Sequence, residues 1–232
     1  ILNRRSVRSF AADEIPDDGF AAILEAGRLA PCTVNLQTWS FAVFDDRSWR
    51  ETFGGVLPFR AQLAVVILAD TYRVRTIQEA FPHSPLVEYT VGVMNASLAA
   101  MNMNAAAEAL GVSSVMLSET GRTGLLDASY LREKLELPEG VVPLMTIVFG
   151  YARSGSPPMP PKLPLNEICF TGCYRQPDRE VMEDWLAQMR AGFKATNPRS
   201  SLEAQLQHYI AKFDQAEADL QAMVFRDGRT SQ

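Results

Sequence analysis

The chain has 232 residues, 47% hydrophobic and 21% charged, with a formal net charge of -5 at pH 7. That is enough apolar material for one large domain, or for one domain with an appendage. The acidic balance argues against the dense positive field that non-specific nucleic-acid or anionic-membrane binding requires, so no nucleic-acid partner is expected.

At the amino end, "RRSVRSF" (residues 4–10) carries three arginines and two serines. In an extended chain Arg4, Ser6 and Arg8 point one way and Arg5, Val7 and Ser9 the other. Two guanidinium groups and a hydroxyl on one side form a cup suited to a phosphate or carboxylate. The same residues also read as a solvated basic arm. "DEIPDDGFAAILEAGRLAP" then predicts an amphipathic helix, with Phe20, Ile23, Leu24 and Leu29 at helical spacing and Pro31 as its stop. "TWSFAVFDD" and "AQLAVVILAD" predict strands, and "RSWRETFGG" between them a helical turn or two closed by glycine.

Residues 71–89, with Pro82 and Pro85, have no clean period and read as a loop or short lid. Thr90 to Leu110 predicts a long alanine-rich helix stopped by Gly111; its small side chains would admit a close neighbour, in the core or from a second subunit. "VSSVMLS" and "VVPLMTIVFGYA" predict two more buried strands, and "ARSGSPPMPPKLPLNE" an extended connector. "ICF" reads as a short strand, and two amphipathic helices follow, "DREVMEDWLAQMRAGF" and "SLEAQLQHYIAKFDQAEADLQAMVF". Strands and large helices without strict alternation predict an α+β fold.

The three cysteines, Cys32, Cys169 and Cys173, are too sparse for a disulfide framework, and no signal peptide precedes the first motif, so a reducing cytoplasm is expected. No run of 18 apolar residues suggests a membrane span. Cys169 and Cys173 have no second pair, and His83 and His208 lack a ligand-type neighbour four residues on, so no metal is expected. Neither G-x-G-x-x-G after a strand nor G-x-x-x-x-G-K-[ST] is present, which leaves any phosphate to the arginine arm.

Three pieces taken together, "RRSVRSF", "APCTVNLQTWSF" (30–41) and "PPKLPLNEICF" near residue 165, resemble the nitroreductase family of FMN-dependent oxidoreductases. The family shows an R-R-S-x-R-x-F opening, an A-P-S-x-x-N-x-Q-P-W-x-F segment and a late R/K-L-P-L stretch in that order; the resemblance runs from about residue 3 to residue 170. It implies an α+β fold with a central, mostly antiparallel sheet flanked by helices, a long buried helix at a homodimer interface, and two flavins between subunits. On that pattern residues 1–173 form the FMN-binding domain and 174–232 a C-terminal helical extension.

Carried over residue by residue, the resemblance assigns Arg4, Arg5, Ser6, Arg8 and Lys162 to the FMN phosphate and ring edge. Pro31, Cys32, Thr33, Asn35 and Gln37 line the flavin, and backbone N–H groups at Leu117, Ser118 and Glu119 approach flavin N5. Cys32 stands where the family often has serine, and Thr38 where it has proline. Cys32 reads as a small buried filler, Trp39 and Phe41 as core, and His83 as a loop residue. The implied activity is ping-pong hydride transfer from NADH or NADPH to a nitroaromatic, quinone, enone or halogenated phenol, with no catalytic side chain. Dehalogenation is disfavoured, because no lid with Glu, Tyr and Lys precedes the second strand. The alternatives are a flavin-dependent dehydrogenase or oxidase of a biosynthetic intermediate, a member that consumes its own flavin, or a flavin- or partner-binding module without turnover. The segment 71–89 and the C-terminal helices are expected to cover the flavin or embrace a partner subunit.

Overall fold

In the computed structural model, residues 2–81, 84–118, 127–155 and 157–225 are described. Helix α1 (Asp17–Arg28) starts on Asp17 and Asp18, whose carboxylates favour the positive end of the helix dipole. Strand β1 (Trp39–Asp45) runs directly into helix α2 (Asp46–Phe53) through a capping box. There the Asp45 carboxylate accepts from the Ser48 backbone N–H at 2.7 Å, and the Ser48 hydroxyl accepts from the Asp45 N–H at 3.0 Å. The Ser48 hydroxyl, then its backbone N–H, hold the Asp45 carboxyl below its ordinary pKa.

Strand β2 (Leu63–Asp70), the short helix α3 (Tyr72–Arg75), helix α4 (Pro85–Ala109) and strand β3 (Ser113–Leu117) follow. Helix α5 (Ala128–Lys134) and strand β4 (Val141–Gly150) come next, then helices α6 (Leu165–Ile168), α7 (Arg179–Thr196), α8 (Leu202–Ile210) and α9 (Phe213–Val224). The strands form one antiparallel sheet in the order β1-β2-β4-β3. The fold is thus α+β, with helices on both faces of the sheet.

The continuous apolar run of β2 follows from its central place. Val65 and Ile67 face α1 and α4, meeting Ile23, Ala99 and Met103, while Ala64, Val66 and Leu68 face Trp49, Leu57 and Leu131. Each fully buried valine, leucine or isoleucine contributes about 1.5–3 kcal/mol. The alanines of α4 let it approach α1 and the sheet closely. At Gly27 on α1 an added Cβ would sit 2.3 Å from the Met103 Cε, so glycine sets that helix spacing.

The amino-terminal arm joins the sheet at its β3 edge. Ser6 bridges to Ser114, the Val7 N–H donates to the Ser114 carbonyl at 3.1 Å, and Ala11 N–H donates to the Tyr151 carbonyl at 2.8 Å. Val7 and Phe10 enter the core beneath it.

Four elements differ from the sequence reading. Helix α4 starts at Pro85 rather than Thr90, because proline in the first turn loses no hydrogen bond; the stretch read as loop therefore holds α3 and the first turn of α4. "ICF" is not a strand: α6 ends at Ile168, the residues after it are exposed, and no neighbouring ladder is there to pair them. The 201–225 stretch is two helices, α8 and α9, parted at Ala211 and Lys212. Helix α5 had no strong period to announce it.

The chain divides into two compact units, Ile1–Pro157 with Asp214–Gln232, and Pro158–Phe213, whereas the sequence reading set its boundary after residue 173. In the first, α9 seats Leu220 and Met223 against Ala69, Tyr89, Ala128 and Val142. Burial, and secondarily Glu217, raise the Tyr89 phenol above its ordinary pKa. In the second, Trp185 Nε1 donates to the Pro161 carbonyl at 3.3 Å, and α7 and α8 begin on Asp178 and Ser201 side-chain caps. No helix among the described residues is long and apolar enough to cross a membrane.

Candidate functional site

Among the described residues, the segment after α1 holds the densest run of left-handed backbone outside glycine. Val34, Asn35 and Gln37 have φ of 48°, 56° and 49°, in the left-handed region. Asparagine tolerates that region through local hydrogen bonding, whereas a β-branched valine does not. Each such residue costs about 1–3 kcal/mol and persists only where its surroundings over-determine it.

The surroundings do so here. Leu36 N–H donates to the Thr33 carbonyl at 2.9 Å, Trp39 N–H to the Gln37 carbonyl at 2.8 Å, and Gln37 N–H to the Cys32 Sγ at 3.3 Å. Cys32 is half-buried and acts as an acceptor inside the loop, a role beyond the buried filler read from sequence. From α4, the Asn95 Oδ1 accepts from the Thr33 N–H at 3.1 Å and the Thr33 hydroxyl at 3.3 Å, while its Nδ2 donates to the Thr38 Oγ1 at 2.8 Å. Arg73 donates to the Trp39 carbonyl and, at 3.5 Å, to that of Gln37; Asp70, 3.2 Å from its Nε, orients it. Asp70 is buried and also accepts from the Ser40 hydroxyl.

The loop so held presents Pro31, Thr33, Asn35 and Gln37 to the surface, with both amides exposed. The Gln37 Nε2 lies 3.5 Å from the Asn35 Oδ1, so the two amides address one place. Trp39 is buried in the core and Phe41 packs against it.

The arginine arm divides by face. Val7 is buried, and Arg5, on the same side of the extended chain, turns inward: its guanidinium donates to the Leu2 and Arg4 carbonyls, both at 2.9 Å. Arg5 thus braces the arm, which leaves Arg4, Ser6 and Arg8 as the outward set. Among the described residues neither the Arg4 nor the Arg8 side chain has a hydrogen-bond or ion-pair partner. At the far end of β3, Leu117 is part-buried against the second core face, and Ser118 follows it, part-exposed. Glu119 and His83 lie outside the described residues. Lys162 is exposed in the unit of Pro158–Phe213 and likewise has no side-chain partner among the described residues.

Helix α4 carries both halves of the constellation. Asn95 holds the 33–38 loop, and Asn104 Nδ2 donates at 2.9 Å to the hydroxyl of Ser114, whose carbonyl holds Val7. Nine residues of helix separate them, about 13 Å along the axis. No hydrogen bond or ion pair among the described residues joins arm to loop. Sequence reasoning missed Asn95, Arg73 and Asp70. A lone amide in the alanine-rich run "MNASLAA" was the one available signal; nothing local marks the reach of Arg73 to β1.

Comparison with known proteins places this geometry among relatives. The model of the Nitroreductase family matches residues 1–151. A protein of Archaeoglobus fulgidus assigned as an NADH dehydrogenase/NAD(P)H nitroreductase is 34% identical over 159 residues, covering 66% of this chain and 83% of that one. An FMN reductase (NADPH) of Bacillus subtilis is 31% identical over 175 residues, covering 70% of this chain and 69% of that one. Among solved structures, that of B. megaterium NfrA2 superposes with a TM-score of 0.78 at 21% identity, covering 97% of this chain and 95% of that chain.

Proposed function

The chain belongs to the nitroreductase family, and on that premise we propose that it is an FMN-dependent oxidoreductase carrying hydride from NADH or NADPH to an electron-poor small molecule of the nitroaromatic, quinone or enone type. The observation that carries the reading is the strained 33–37 loop, held by Asn95 and Arg73 while its two amides are exposed at the surface. Packing does not account for that backbone strain, since Val34, Asn35 and Gln37 are all exposed.

The residues fit FMN by their chemistry. The guanidinium groups of Arg4 and Arg8, unpaired on either side of Ser6, offer charge-assisted bonds to a dianionic phosphate, and Lys162 is assigned to that phosphate by resemblance alone. Arg5 is set apart from these two, because its Nη1 donates to the arm's own carbonyls and its Nε is buried without a partner. Asn35 and Gln37 each donate and accept, which suits the alternating edge of the ring, and Cys32 and Thr33 shape the backbone that carries them. Backbone N–H groups at Leu117, Ser118 and Glu119 are assigned to the ring's reactive edge by resemblance alone. FMN, when bound, would supply the redox chemistry that links a reduced nicotinamide to the acceptor. The protein's part is to bind and orient; no side chain is assigned as acid, base or nucleophile.

A homodimer completes the site in this reading. Val87, Met94, Leu98 and Met101 fall on one side of α4, spaced seven, four and three residues apart, and are 41–56% exposed. A second copy would cover that stripe and bring one chain's loop to the other's arm. The free thiols of Cys32, Cys169 and Cys173 suit a reducing cytoplasm.

The test is an absorbance spectrum of the purified protein, or of apoprotein given FMN, followed by anaerobic NADH or NADPH. Flavin bands that bleach with a reduced nicotinamide support the proposal. A colourless protein that takes up no FMN removes it, and a yellow protein that no donor bleaches favours a binding module.

A further inference from the structure

We propose that Asn95 is a positioning residue: its buried carboxamide clips the loop at Thr33 and Thr38, and so holds the strained backbone that presents Asn35 and Gln37. The inference deepens the reading above and rests on it.

An asparagine inside a helix ordinarily turns to solvent or to its own helix's carbonyls. Asn95 does neither. It is 1% exposed, and its bonds reach 62 residues back to Thr33 and 57 back to Thr38. The polarity is complementary at both ends, since the Oδ1 takes two donors from Thr33 and the Nδ2 gives to the Thr38 hydroxyl. Thr38 is itself wholly buried, so its hydroxyl is there for this bond rather than for water. Between the two clipped residues lie Val34, Asn35 and Gln37, the three left-handed positions.

Clipping both ends fixes the end-to-end span of the loop, and a fixed short span is what forces its interior residues out of the ordinary regions. Arg73 sets the exit direction by holding the Trp39 carbonyl, but touches nothing before Gln37. Of the two braces that reach the loop from outside it, Asn95 is the one that holds its start.

The experiment compares Asn95→Ala, Thr38→Val, the double variant and Thr38→Ser. The readouts are FMN and riboflavin binding by flavin fluorescence quenching, and amide exchange at Thr33 in the apoprotein. Asn95→Ala and Thr38→Val are each expected to weaken FMN at least tenfold, with the same factor for riboflavin, because the ring contact and not the phosphate contact is lost. The double variant should be within threefold of the weaker single, and Thr38→Ser, which keeps the hydroxyl, within threefold of the unaltered protein. Thr33 exchange should quicken at least tenfold in Asn95→Ala. If that variant does not fold, Thr38→Val, which removes a hydroxyl at nearly constant volume, carries the binding expectation alone. Folded variants that bind FMN within twofold of the unaltered protein overturn the proposal. Failure of the unaltered protein to bind FMN overturns the reading of the site instead, and Thr33 exchange then still decides whether the clip exists.

Discussion

Gly150, the last residue of β4, tests whether the arginine arm is held by the core beneath it. Its φ lies outside the left-handed region, so alanine adopts the same backbone and only space opposes the change. A Cβ there would fall 2.8 Å from the Phe10 Cδ1, 3.1 Å from the Cγ and 3.3 Å from the Cβ. Carbon atoms settle at about 3.5–4.0 Å, and turning the ring cannot move its Cβ and Cγ clear. Phe10, 2% exposed, must therefore shift as a whole and draw with it the backbone that carries Arg8. Overpacking of this kind costs about 1–3 kcal/mol. At about 2–4 °C per kcal/mol for a chain of this size, Gly150→Ala should lower the melting temperature by about 2–12 °C. FMN affinity should fall too, because the arm is displaced. Adding Phe10→Leu to Gly150→Ala should recover part of both losses, a coupling of about 0.5–3 kcal/mol in a double-mutant cycle read by urea unfolding. A Gly150→Ala protein that melts within a degree of the original and binds FMN equally would refute the argument that this ring anchors the arm.

Arg4→Gln and Arg8→Gln should each forfeit about 1.5–3 kcal/mol of charge-assisted bonding, weakening FMN about 10- to 150-fold. Riboflavin, without the phosphate, should be unaffected, and equal losses for both ligands would remove the phosphate role. Arg5→Gln should leave the ratio of FMN to riboflavin affinity unchanged while lowering stability by about 1–3 kcal/mol in urea, since two bonds to arm carbonyls are lost. Leu98→Glu places a charge in the exposed α4 stripe and should give a monomer by light scattering; a persistent dimer would place the interface elsewhere. Asp45→Ala should lower the urea midpoint near neutral pH. Because the folded-state pKa of Asp45 is depressed, its contribution is present above the ordinary value of 3.8 and is lost as pH falls below it, so the gap between the proteins should close in acid. A gap that persists at a pH of about 2 would assign the effect to packing.

The strands were legible because their residues are apolar and β-branched over a length too short for a helix, and α4 because alanine favours helix wherever it stands. The alternation of the arm already separated Arg5 from Arg4 and Arg8. The burial of Val7, which fixes the inward side, turned that separation into two different roles. Local composition also fixed Asn35 and Gln37 in the loop, since a motif is read residue by residue. Their left-handed backbone was not legible, because no glycine marks it and the strain is imposed by Asn95 and Arg73 from 62 and 36 residues away. Propensity and period express what a residue does with its near neighbours. The clip on the loop, the break between α8 and α9, and the side of α4 left bare depend on which distant surfaces meet, and only the folded chain decides that.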